Sequence, residues 1–126
     1  MADGDERPVI DERPEPDRIP RPGELAIERT TTPDGVVLSL VGELDLASAP
    51  RLESELMAVE SNYPREFVID LEGVQFIDST GLRVLLSATR RAHAAAHQLQ
   101  LRRAHGQVVR LFEIAGVLDQ FSFQDR

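Results

Sequence analysis

The chain has 126 residues, of which 41% are hydrophobic and none is cysteine, a length and composition that suit one domain and leave no disulfide or thiolate metal site. With a formal net charge of -8, it lacks the basic footprint that direct binding to nucleic acid or to an anionic membrane requires. All fourteen residues of the Lys plus Arg total are Arg, which removes Schiff-base lysine chemistry and the phosphate-cradling lysine of a P-loop.

Residues 1–24 hold five of the eight prolines, eight acidic residues and four arginines. Three aliphatic side chains of any size apart from Met1, Val9, Ile10 and Ile19, are too few to offset the entropy of ordering that stretch, so a disordered, acidic, Pro-rich tail is expected there. It is either a docking tail or a solvating leader. No signal peptide or membrane span is legible, and the absence of cysteine fits a cytoplasmic address.

The folded domain is expected over 25–126. Leu25 to Thr30 alternates as a half-exposed strand, Pro33-Asp34-Gly35 turns, and the β-branched run Val36 to Val41 reads as its hairpin partner. Ser48 is placed to cap a helix with Pro50 in its first turn, and Ala49, Leu52, Leu56 and Val59 form one apolar stripe, predicting a helix to Ser61. Phe67 to Leu71 suits a buried parallel strand, and Val74 to Ile77 leads into Asp78-Ser79-Thr80-Gly81. A second helix is predicted from Leu82 to about His97, a strand over Leu99 to Arg102, and a third helix whose stripe Val108, Leu111, Phe112 and Ala115 stops at Gly116. Phe121-Ser122-Phe123 supplies a short last strand. This order specifies an α/β fold, a mixed sheet of about five strands with helices packed against it.

Chemistry concentrates in Asp78-Ser79-Thr80-Gly81, two hydroxyls at the start of a helix whose first amides lack intrahelical partners. A phosphate is tolerated at such a terminus, because the free amides and the helix dipole favour negative charge. Read on its own, the same tetrapeptide is also ordinary helix-cap chemistry. Asp45 lies at another strand-to-helix junction, where binding groups gather in open α/β sheets; it is equally a turn-forming residue. Gly81 permits a close backbone approach, to a partner or to a neighbouring strand.

Other constellations carry less. His93 and His97 stand four apart, but no Glu follows His93 and no cysteine exists, so no metal site and no cofactor are expected. Arg90-Arg91 and Arg102-Arg103 have no interleaved aromatics and read as solvated faces. G-x-S-x-G, P-loop and G-x-G-x-x-G motifs are absent, and no acid–base set marks an enzyme.

Three stretches together resemble the STAS domain of bacterial anti-sigma factor antagonists: Val41 to Pro50, Phe76 to Leu82, and Arg110 to Val117. They run in the family's order across residues 25–123. The resemblance implies a non-catalytic partner switch in transcription regulation and stress response. Its partners are an anti-sigma factor that is also a Ser/Thr kinase and a phosphatase that resets the phosphorylated form. It also implies that Ser79, rather than Thr80, accepts the phosphate, and that Asp45, Asp78, Ser79, Thr80 and Gly81 meet the partner, Gly81 by close approach to the kinase's nucleotide pocket. Arg83 departs from the small residue many relatives carry there; as a long cation beside the site it is expected to meet the partner by pairing with the phosphate or reaching an acidic group. The family's usual final amphipathic helix has no counterpart after Phe123, which leaves two readings open, an uncovered apolar patch that self-associates or a trimmed chain. The tail also lies outside the family pattern. A constitutive subunit of a larger assembly, such as a lipid-transport ATPase, is the alternative function, and a small phosphate- or nucleotide-binding enzyme is a third.

Overall fold

The computed structural model describes residues 24–124; the expected tail, apart from Glu24, lies outside the described residues. Strand β1 (Leu25–Thr32) and strand β2 (Gly35–Leu44) pair antiparallel. Thr32 Oγ1 holds their turn by accepting from the amides of Asp34 and Gly35, each at 3.2 Å. Helix α1 (Ala49–Glu60) leads to β3 (Glu66–Ile77), α2 (Ser79–Ala94) to β4 (Leu99–Arg102), and α3 (Gly106–Ala115), followed by a short 3-10 turn, to β5 (Ser122–Gln124). The strands lie in the order β1-β2-β3-β4-β5, with β2 to β5 mutually parallel.

Every step from β2 to β5 moves to the next neighbour in the same direction, so right-handed crossovers put all three helices on one face. Burial follows from that. Leu38, Ile69 and Leu101 sit in register across β2, β3 and β4 and pack into one core with Leu52, Leu56, Leu85, Val108 and Phe112 from the helices. Removing each such side chain from water contributes about 1.5–3 kcal/mol. On the other face Ser39, Asp70 and Arg102 align, and buried Asp70 pairs with Arg102 at 3.1 Å.

The elements match the expected order, with differences at their ends. β3 runs unbroken through Glu72 and Gly73, where the sequence suggests a pause. The register shift between Ser39 and Val41 absorbs the irregularity, and a Cβ on Gly73 would lie 2.8 Å from the Leu40 carbonyl oxygen, which explains the residue chosen. α2 begins three residues earlier than expected, at Ser79, because Asp78 takes the cap position, and it ends at Ala94 rather than near His97. There Ala96 adopts φ 64, and the His97 amide turns back to the Ala92 carbonyl at 2.8 Å, a left-handed stop usually given to glycine. α3 stops at Gly116 with φ 70, as its sequence indicates.

Candidate functional site

The C-terminal ends of β2 and β3 lie side by side, Leu44 opposite Ile77, and deliver the Asp45 and Asp78 loops to one edge. Asp78 caps α2: its Oδ1 accepts the Gly81 amide at 2.9 Å, and its Oδ2 accepts the Leu46 amide at 3.1 Å. Its own amide donates to the Leu44 carbonyl at 3.2 Å. One carboxylate thus joins two loops separated by more than thirty residues.

Ser79 follows at the first helical position and is exposed, whereas Thr80 is half-buried. No side-chain hydrogen bond engages the Ser79 hydroxyl among the described residues. Arg83, one helical turn on, is exposed and forms no ion pair among the described residues. Its i+4 spacing brings its side chain within reach of Ser79. Leu46, whose amide Asp78 holds, is 71% exposed, and Phe76 near the end of β3 is 40% exposed.

Asp45 is engaged within its own loop. Its Oδ1 accepts the amides of Ala47 at 3.0 Å and Ser48 at 3.1 Å, an Asx-type turn. Ser48 occupies the cap position of α1 but makes no capping bond to the helix. Instead its buried hydroxyl donates to the Glu43 carbonyl at 2.8 Å and accepts the Asp45 amide at 3.0 Å. Of the two approaches open to Gly81, the geometry supplies the neighbouring strand. A Cβ there would lie 2.5 Å from the Leu44 carbonyl oxygen, and the residue is buried.

A residue with no local signal in the sequence completes the site. The Gln107 side-chain amide, at the start of α3, donates to the Ile77 carbonyl at 2.9 Å and accepts the Ile77 amide at 2.9 Å. It holds the last residue of β3 two positions before Ser79. Only the pairing across thirty residues reveals it; in the sequence Gln107 is a polar position in an amphipathic helix.

The charge networks lie elsewhere. Arg91 bonds Glu60 through Nε at 2.9 Å and Nη2 at 2.8 Å, and these bonds to Glu60 raise its pKa. Arg102 and Arg103 serve Asp70 and Glu72. Among the described residues no group of three His, Cys, Asp or Glu is placed to hold a metal, and no helix is long and apolar enough to cross a membrane.

The site is therefore an exposed hydroxyl at a braced helix start, carried on a five-stranded mixed sheet with three helices. The STAS domain model matches residues 26–126. An anti-sigma-B factor antagonist of Staphylococcus aureus is 32% identical over 95 residues, covering 75% of this chain and 88% of that protein. The crystal structure of an anti-sigma factor antagonist from Mycobacterium paratuberculosis superposes with a TM-score of 0.75 at 26% identity, covering 84% of this chain and 90% of that one. The Bacillus cell fate determinant SpoIIAA in its phosphorylated form shares the fold at a TM-score of 0.62 and 20% identity, over 80% of this chain and 93% of that one. The chain belongs to the STAS domain family, among the anti-sigma factor antagonists.

Proposed function

We propose that the unphosphorylated domain binds an anti-sigma factor that is a Ser/Thr kinase, freeing a sigma factor, and that phosphorylation of Ser79 ends this binding until a Ser/Thr phosphatase restores the hydroxyl. The observation that carries the reading is the Ser79 hydroxyl itself: exposed, unbonded among the described residues, and carried at a helix start that Asp78 caps. Transfer moves the γ-phosphoryl group of ATP to Ser79 Oγ, with ADP leaving and the hydroxyl proton passing to the kinase's base. The product carries about -1.5 to -2 added charges beside Asp78. A docked interface there meets both repulsion and the desolvation of phosphate. A differential cost of about 3 kcal/mol lowers affinity roughly a hundredfold.

The test is incubation with ATP and the anti-sigma factor recovered from the native cell, followed by peptide mapping and binding measurements. One phosphate on Ser79 and weakened binding are expected. Phosphate on Thr80 alone moves the acceptor by one position. A partner that binds equally well with and without phosphate supports the constitutive-subunit alternative instead.

A further inference from the structure

The far end of α2 borders a cleft that the reading of Ser79 does not use, roughly 16–21 Å along the helix from that residue at 1.5 Å per residue. The cleft, of about 430 Å³, opens between the last turns of α2 and the edge formed by β4, β5 and the turn before β5. Its size falls in the range of small-molecule pockets, about 300–1,000 Å³.

One wall presents Arg90 and His93 from the last turns of α2, and His97 after the reversal at Ala96. Among the described residues no Asp or Glu lines the cleft, although the chain carries 22 acidic residues against 14 arginines. A helix C-terminus attracts cations for its own sake, but that would set no facing wall of neutral donors. Gln98, Gln120 and Ser122 supply one. The walls are braced without spending charge: Arg90 Nη2 donates to Gln120 Oε1 at 2.9 Å, and Gln98 Nε2 donates to Ser122 Oγ at 3.2 Å. His97 is fixed by stacking on Tyr63, with centroids 4.4 Å apart and planes 16° from parallel. Leu99 and Ala94 add apolar lining.

Arg90 keeps further N–H donors beyond the one given to Gln120, and each imidazole has an N–H to donate whether neutral or charged. A guanidinium with two ring donors suits an anion that presents two or three oxygens, while Leu99 and Ala94 suit an apolar body. We propose that this cleft binds a small organic anion, a phosphate ester or carboxylate carried on an apolar or aromatic group.

The test is a nitrogen-15 NMR titration of the full chain with phenyl phosphate, benzoate and, as the neutral control, benzyl alcohol. Phenyl phosphate or benzoate should give saturable shifts confined to Arg90, His93, His97, Gln98 and Gln120; which of the two binds more tightly identifies the acid group. Benzyl alcohol should not saturate. Arg90→Gln combined with His93→Gln should weaken binding at least tenfold with an unchanged melting temperature, and Arg90→Glu should abolish it. Linear shifts spread over the arginines of the chain, equal affinity in the variants, or saturation by benzyl alcohol would each overturn the proposal.

Discussion

The carboxylate of Asp78 reaches the amide of Leu46 at 3.1 Å while its other oxygen holds the amide of Gly81 at 2.9 Å. The start of α2 and the loop after β2 therefore move as one piece. Asp78→Ala removes both acceptors and should destabilise the domain by about 1–2 kcal/mol, the range for loss of a helix cap. For a domain of this size that lowers the melting temperature by roughly 5–15 °C. Asp78→Asn keeps the cap oxygen but has one acceptor fewer, so its loss should be smaller. Thermal denaturation of both variants, side by side, checks the order.

The structural part of Asp45 is separable by mutation from the docking role proposed for it. Its Oδ1 closes the turn to Ala47 and Ser48, so Asp45→Ala should cost about 1 kcal/mol of stability whatever its effect on a partner. Asp45→Asn retains a side-chain oxygen able to accept both amides and removes only the charge. Measured together, Asn should melt near the parent while Ala melts lower. Any loss of anti-sigma factor binding shared by the two then reports the charge.

Gln107 should act on the loop that carries Ser79 from outside it. Gln107→Leu leaves the amide and carbonyl of Ile77 without their side-chain partners, a penalty of about 1–3 kcal/mol if water does not replace them. Hydrogen exchange at the Ile77 amide should accelerate. Unchanged protection of that amide would show that Gln107 does not hold the loop.

The topology was legible because it rests on local signals: alternation in β1, the β-branched run of β2, apolar stripes on three helices and Gly116 as a stop. The place of Ser79 after Asp78 at a helix start was legible locally, but that pattern is equally a helix cap, and its reading as a phosphate acceptor came from the family resemblance. What escaped depends on pairing across the chain. Gln107 meets Ile77 thirty residues away, and Asp78 meets Leu46 thirty-two away, distances over which no periodic pattern operates. Ser48 shows the related difficulty that a residue type suited to capping is used otherwise: its hydroxyl turns back to Glu43 and Asp45 rather than forward into α1. Gly81 carried two meanings in sequence, and the Leu44 carbonyl beneath it accounts for the glycine without a partner.

Ser79 and Arg83 form the last testable pair. An acidic group four residues before a basic one on a helix is the favourable orientation, and an anion in the first turn also meets the positive end of the dipole. Phosphoserine introduced at position 79 should therefore stabilise the isolated domain, even as it weakens partner binding. Both groups are exposed, so solvent screening limits the gain to about 0.5–1 kcal/mol, a rise of a few degrees in melting temperature. Arg83→Ala should remove the part due to the pair and leave the part due to the dipole; high salt should reduce both. Ser79→Ala should still bind the anti-sigma factor, since it deletes only an unbonded hydroxyl, whereas Ser79→Asp should bind less well by bringing charge into the interface. Asp offers one charge and two oxygens, so its effect should fall short of phosphate. Calorimetric melting of the phosphorylated domain with and without Arg83, set beside binding by the Ala and Asp variants, separates the two effects. A phosphorylated domain that melts no higher than the parent would remove Arg83 from the account, and a phosphorylated domain that binds as tightly as the parent would remove the switch.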